Sequence, residues 1–229
     1  MARKSKIDNA ILKRRARKEQ QRKKGQRAIR KFILIVCEGE KTEPNYFNAF
    51  RKDLPKGVLE NYAIEVDGTG RNTLSMVEEA IRIRNEREKG HGRKYDQVWV
   101  VFDRDGFPAQ QFNEAIWKAE KEGLQNAWSN EAFEIWYLLH FHFFQNGMSR
   151  EDYKPLIERE LSAKMGAAFK YEKNMPEMYA LLKKYGDREQ AILWAGSLDQ
   201  IFAGRTDFSD HNPCTKIYLL IQELLKLKG

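Results

Sequence analysis

The sequence predicts an α/β fold with a four-stranded, mostly parallel sheet, helices on both of its faces and a helical C-terminal cap. Two apolar runs of strand length, 32–37 and 98–102, show no polar alternation, which is typical of strands buried on both faces in a parallel sheet. Helical patterns separate the predicted strands, as right-handed crossovers require. With 229 residues, of which 41% are hydrophobic, the chain is large enough to bury a core.

The first part of the chain alternates strands with helices. After the strand at 32–37, Thr42 is suited to cap a helix that ends before Pro55. A second strand at 62–66 and a Gly-Thr-Gly turn precede a helix that begins at Thr73. The glycine turn has neither the Lys-Ser/Thr of a P-loop nor the glycine spacing of a dinucleotide site, so we do not expect it to bind nucleotides by those modes.

The central strand and its neighbours follow. A charged connector at 85–94 leads into the strand at 98–102. An amphipathic helix at 108–122, a shorter strand at 124–128 and an aromatic-rich helix at 131–144 come next. Apolar residues at helical spacing then predict four further helices, at 151–164, 176–185, 188–204 and 215–228. Aromatic and basic residues are interleaved in this region, and they could form a wall for nucleic acid, although a solvated helical face is the more ordinary explanation: Lys170, Tyr171, Lys173 and Arg205.

Acidic residues follow both buried strands. Glu38 comes directly after the first, and Asp103 and Asp105 come directly after the central one. The carboxyl ends of parallel strands meet at one edge of the sheet, and residues two apart on a strand point to the same side. Carboxylates gathered there would suit a hard divalent cation such as Mg²⁺ or Mn²⁺. On its own, however, Asp-x-Asp-Gly is more often a strand end followed by an ordinary turn.

Three longer motifs carry a family resemblance. They are Cys-Glu-Gly-Glu-Lys-Thr-Glu-Pro-Asn-Tyr-Phe at 37–47, Ser-Asn-Glu-Ala-Phe-Glu-Ile-Trp-Tyr-Leu-Leu-His-Phe at 129–141, and Asn-Pro-Cys-Thr-Lys-Ile-Tyr at 212–218. Together they resemble the RloB-like family, small Toprim-type proteins associated with bacterial restriction and phage-defence loci. The middle motif departs from the family pattern, because Asn130-Glu131 stands where Asn-Pro is expected.

The resemblance implies a Toprim-like fold, related to that of the overcoming-lysogenization-defect (OLD) nucleases. The glutamate of the family's first motif matches Glu38, and the two aspartates of its second match Asp103 and Asp105. We therefore expect these three side chains to bind Mg²⁺ or Mn²⁺ and to act in catalysis. Lys41 and Arg104, beside the acids, are candidates to neutralise phosphate, although both could equally be solvated neighbours.

Three further side chains are ambiguous. Glu134 lies in the first turn of the predicted helix at 131–144. It is either another carboxylate of the site or an acid that interacts with the positive end of the helix dipole, and the resemblance favours the site. Glu43 lies in the first turn of its helix, and we expect it to be structural. His140 fits a packed core residue better than a proton shuttle.

The net charge of +8 is concentrated at the N-terminus. Residues 1–31 hold 14 Lys and Arg against two acids, a charge of +12, which leaves about −4 for the remainder. This composition predicts a disordered or marginally helical arm at 1–30 that contacts nucleic-acid phosphates through residues including Arg14, Arg15, Arg17 and Lys18. A solubilising leader without a partner is the alternative. Attachment to a membrane surface is disfavoured, because the arm lacks an apolar face.

The predicted organisation is a basic arm at 1–30, a Toprim-like α/β domain at 31–145 and a helical C-terminal region at 146–229 packed on it. No apolar span has the length of a membrane helix and no signal-peptide pattern is present, so we expect a cytoplasmic protein. The expected activity is metal-dependent hydrolysis of DNA or RNA in bacterial anti-phage defence, with other defence-system proteins as possible partners. The alternative is a non-catalytic subunit of a defence complex that binds nucleic acid or a nucleotide.

Overall fold

A five-stranded, mostly parallel sheet forms the centre of the protein. The structure, a computed structural model, describes residues 31–70, 73–104 and 106–227. The strands are β1 (Lys31–Cys37), β2 (Tyr62–Gly68), β3 (Gln97–Asp103), β4 (Gln125–Asn130) and β5 (Cys214–Thr215). Their spatial order is β2-β1-β3-β4-β5, and β5 alone runs antiparallel to its neighbour. The predicted four strands are all present, and the two-residue β5 is an addition that the sequence pattern does not reveal.

Helices flank the sheet and make up most of the C-terminal region. They are α1 (Thr42–Lys52), α2 (Lys56–Asn61), α3 (Thr73–His91), α4 (Ala109–Lys121), α5 (Glu134–Leu138), α6 (Arg150–Met165), α7 (Met178–Tyr185), α8 (Arg188–Ile201) and α9 (Ile217–Lys226). A single 3₁₀ turn lies at Phe208–Asp210. Among the described residues, no helix combines the length and apolar character needed to cross a bilayer.

The central strands are apolar throughout because both faces of the sheet are covered. Alternate residues of β1 contribute to two separate cores: Ile35 belongs to one and Val36 to the other. The first core also contains residues of the C-terminal helices, including Leu161, Leu182, Leu198 and Leu220. The second core is closed by α3 and α4. The predicted C-terminal helices therefore pack against one face of the sheet, and the two crossover helices pack against the other.

Two helix predictions were wrong. The stretch 85–94 was predicted to be a connector, but α3 continues to His91. Ion pairs of Arg82 with Glu79 and Glu86 lie along this helix, and Arg87 pairs with Glu65 of β2. The helix predicted at 131–144 is helical only in α5. After α5 the His140 carbonyl accepts a hydrogen bond from the distant Asp187 amide, and the chain continues in turns.

The start of α1 also differs from the prediction. Lys41, and not Thr42, occupies the N-cap position, and no side chain caps the helix. The Thr42 hydroxyl instead donates a hydrogen bond to Asn174 Oδ1 at 2.7 Å. This contact joins the carboxyl edge of the sheet to the loop between α6 and α7.

Candidate active site at the carboxyl edge of the sheet

The ends of β1 and β3 lie side by side and are joined by hydrogen bonds. The Glu38 amide donates to the Val101 carbonyl at 2.8 Å, which extends the pairing one residue beyond β1. The Glu38 carboxylate oxygen Oε2 then accepts from the Asp103 amide at 3.0 Å. Two acids that are far apart in sequence are therefore held at one point, at the edge where α/β sheets usually bind ligands.

Asp103 is a buried carboxylate at this edge, and one of its oxygens lacks a hydrogen-bond partner among the described residues. Its side chain is only 8% exposed, and the oxygen in question is Oδ1, which is buried. Burial raises the Asp103 pKa well above its ordinary value, and the nearby acids Glu43, Glu134 and Glu38 raise it further. An ionised carboxylate in this position is therefore costly without a cation.

Glu43 belongs to the same cluster, although the sequence suggested only a structural role. It lies in the first turn of α1, as predicted, but its side chain is 5% exposed. Burial raises its pKa, Glu134 adds to the rise, and Lys173 opposes it. A side chain at position 39 would collide with the Glu43 carboxylate, so Gly39 leaves the space that Glu43 occupies. That glycine, four residues before the acid in the motif at 37–47, is a sequence signal for its placement.

Glu134 completes the cluster from the other side. It lies in the first turn of α5 and is 7% exposed. Its oxygen Oε1 accepts a hydrogen bond from the hydroxyl of buried Tyr171 at 3.0 Å. Burial and the Glu134 charge raise the Tyr171 pKa far above its ordinary value, so this hydroxyl remains a proton donor. The sequence indicated Tyr171 only as one of several interleaved aromatic and basic residues and did not predict its contact with Glu134.

The acids line a cavity of about 520 Å³. Basic side chains line it as well: Lys41, Arg150 and Lys173. Lys41 is exposed at the N-cap of α1, and Phe107 and Phe133 supply apolar surface. A cavity that presents carboxylates and basic groups together is suited to a cation and an anion bound side by side.

Two other candidates, Arg104 and His140, do not line this cavity. Arg104 is half-buried, and its guanidinium donates to the Phe107 carbonyl; its predicted contact with phosphate stays a prediction. His140 is buried, with Nδ1 at 2.8 Å from the Trp136 carbonyl, and it lines a different cavity of about 280 Å³. Asp105, Arg14, Arg15, Arg17 and Lys18 lie outside the described residues.

The donor atoms of the cluster suit a hard cation. All four acids offer carboxylate oxygens, which Mg²⁺ and Mn²⁺ prefer, and the buried Asp103 oxygen lacks a partner in the described chain. Within residues 31–70, 73–104 and 106–227, no three His, Cys, Asp or Glu side chains are already arranged to hold a metal ion. The described part thus has the right donor type, and Asp105, the third predicted ligand, lies outside it.

Comparison with known proteins gives one match. Searches of curated proteins and of solved structures found none. A family model described as "RloB-like protein" matches residues 33–224, which include every strand end and cavity residue discussed above. The chain therefore belongs to the RloB-like protein family.

Proposed function

We propose that this protein is a Toprim-type, metal-dependent nuclease that hydrolyses phosphodiester bonds in nucleic acid and acts in bacterial restriction or anti-phage defence. The observation that carries the proposal is the buried, unpartnered Asp103 carboxylate oxygen, which lies among Glu38, Glu43 and Glu134 at the carboxyl edge of a parallel sheet. Such a group is expensive to keep ionised unless the site receives a cation.

Glu38 and Asp103 are the residues we propose to hold Mg²⁺ or Mn²⁺, together with Asp105, which follows two residues later. A divalent cation there would supply a Lewis acid for a phosphoryl oxygen and would lower the pKa of a bound water. The Asp103 amide already orients the Glu38 carboxylate, which therefore lies beside the end of β3, and both residues line the cavity. Glu134 and Glu43 then contribute further negative charge next to the ligands.

The chain's own cations would hold the substrate. Lys41 is exposed on the cavity wall, and the first amides of α1 lie next to it, where the positive end of the helix dipole attracts an anion. The basic arm at 1–30 would add nonspecific phosphate contacts and so concentrate nucleic acid near the site. We propose the cytoplasm as the place of action and other defence-system proteins as partners.

A second function remains in competition: a nucleic-acid-binding or nucleotide-binding subunit that does not cleave. It is favoured by the absence, within the described ranges, of three acids posed around a single metal position. Both functions use the same cavity, and they differ only in whether a covalent bond is broken.

A cleavage survey separates the two functions. Purified protein would be incubated with single- and double-stranded DNA and RNA, including tRNA, with Mg²⁺, with Mn²⁺ or with a chelator. We expect at least one substrate to be cut only with metal, and the cutting to be lost in Asp103→Ala. Tight binding of a substrate that is never cut, under any metal condition, would instead support the binding subunit.

A further inference from the structure

We propose that the segment Tyr171–Asn174 of the C-terminal region is part of the active site, with Lys173 as a binding residue for a substrate phosphate and Tyr171 as a positioning residue for Glu134. This inference rests on the proposed nuclease function and assigns to it residues that lie beyond its strand-end acids. The segment lies within the loop that connects α6 to α7, and the sequence shows no catalytic motif there.

Hydrogen bonds fix the segment to the elements that carry the acids. At its end, Asn174 accepts from the Thr42 hydroxyl at 2.7 Å, and its carbonyl accepts from Asn45 Nδ2 at 3.0 Å. Asn174 adopts a left-handed backbone with φ of 71°, which Asn tolerates better than most residues. Both partners belong to α1, the helix of Glu43, so the end of the segment cannot move independently of that helix.

The beginning of the segment is fixed in the same way. The Tyr171 amide donates to Glu158 Oε1 of α6, and the Tyr171 hydroxyl donates to Glu134 Oε1, both at 3.0 Å. Tyr171 is buried, so its ring orientation is set by packing. Because the hydroxyl occupies one oxygen of Glu134, the other oxygen is left to face a cavity ligand. Tyr171 therefore determines which way this carboxylate points.

Lys173 lies between these two anchors and is exposed. It lines the cavity, and its charge is close enough to Glu43 to lower that carboxyl's pKa against the larger rise caused by burial. Within the part of the chain that the structure describes, no carboxylate forms an ion pair with Lys173. An ammonium that is held near the acids but not paired with them is suited to a phosphate oxygen of a substrate bound beside the metal.

The test compares Lys173→Gln and Tyr171→Phe with Lys170→Gln, a matched control. Lys170 is exposed, lies in the same loop and is not part of the cavity wall. Binding of a fluorescein-labelled single-stranded oligonucleotide would be followed by anisotropy over a range of salt concentrations. We expect Lys173→Gln to weaken binding about 10-fold and to reduce the slope of log K against log salt by about 0.7, one contact on a single strand.

Tyr171→Phe should behave differently. We expect its affinity for the oligonucleotide to stay at the wild-type value. The Mn²⁺ concentration that gives half of the thermal stabilisation should rise about 10-fold, because Glu134 contributes negative charge next to the metal ligands and groups around the ligands are typically worth a factor of this size. A role in packing alone would lower the melting temperature equally with and without Mn²⁺, and that result would overturn the positioning role.

The two proposals can fail separately. If the wild type cuts no substrate, the nuclease function fails, yet the anisotropy experiment still decides whether Lys173 binds phosphate. If the wild type cuts nucleic acid and Lys173→Gln matches Lys170→Gln in affinity and salt slope, the role of Lys173 is refuted while the nuclease function stands.

Discussion

Replacement of Asp103 by Asn should stabilise the metal-free protein at neutral pH. The substitution preserves the size of the side chain but removes a charge that is 8% exposed and faces Glu38, Glu43 and Glu134. Because folding raises the pKa of Asp103, the folded state binds this proton more tightly than the unfolded chain does. The group therefore destabilises the fold as pH rises above its ordinary pKa, and the penalty disappears in acid.

The size of the effect follows from the missing partner of Asp103 Oδ1. An unsatisfied buried polar group costs about 1–3 kcal/mol, and more if it is charged. The amide of Asn in the same place keeps part of that cost. We therefore expect the free energy of unfolding of Asp103→Asn to be roughly 1–2 kcal/mol above that of the wild type near pH 8, or about 2–8 °C in melting temperature for a domain of this size. Metal binding should stabilise the wild type: its free energy of unfolding should rise by about 2.7 kcal/mol at a free metal concentration 100 times the dissociation constant.

The assay is thermal unfolding of the two proteins from pH 5 to pH 8, with a chelator and with a Mn²⁺ titration. Glu122→Gln is the control, since Glu122 is exposed and caps the end of α4, at the opposite edge of the sheet. We expect the melting temperature of Asp103→Asn to exceed that of the wild type only without metal and only at the higher pH. A substitution that destabilises the protein at every pH and leaves its Mn²⁺ response intact would refute the reasoning.

Three further predictions follow from other parts of the molecule. Deletion of residues 1–30 should weaken nucleic-acid binding and flatten its salt dependence without changing the melting temperature; an unchanged salt slope would reject the arm as a phosphate-binding element. Burial lowers the His140 pKa from 6.5 to about 4. The free energy of unfolding of the wild type should therefore fall by up to about 3 kcal/mol as the pH drops between those values. In His140→Gln, the free energy of unfolding measured with urea should depend less on pH over this range. Gly68→Ala should destabilise the protein by about 1–3 kcal/mol in the same measurement. The new Cβ would lie 2.6 Å from the Gly39 carbonyl oxygen, which belongs to the backbone and cannot rotate away. A variant as stable as the wild type would contradict this prediction.

The ends of the central strands were predictable from the sequence because the pattern that marks these strands is a continuous run of residues. A strand covered on both faces must be apolar at every position, so β1 and β3 are visible as unbroken runs, and the first acids after them must lie at the carboxyl edge. Glu38 and Asp103 follow directly from that rule. The same rule could not locate β5, because two residues are too few to show a pattern and the strand forms only by pairing with the end of β4.

The rest of the site depends on tertiary contacts. The sequence pattern of an acid in the first turn of a helix is the same whether its side chain interacts with the helix dipole or lines a cavity, so Glu43 was predicted to be structural. Tyr171 and Lys173 come from a loop without a catalytic motif. The sequence indicated them only as part of a possible wall for nucleic acid, because the hydrogen bonds of this loop to α1 and α5, which bring them to the acids, cannot be deduced from sequence. The helix predicted at 131–144 failed for a similar reason, because the His140 carbonyl is taken by Asp187.

We propose that the carboxylates around Asp103 bind a metal ion that this protein needs in order to cleave phosphodiester bonds. The most direct test is the single-turnover cleavage rate, on the best substrate of the survey, as a function of Mn²⁺ concentration for the wild type, Asp103→Asn and Glu122→Gln. Loss of residues that merely support metal ligands costs about 10–100-fold, so loss of a ligand should slow Asp103→Asn by more than about 100-fold while Glu122→Gln keeps the wild-type rate. Cleavage by Asp103→Asn at the wild-type rate and with the wild-type dependence on Mn²⁺ would contradict the claim.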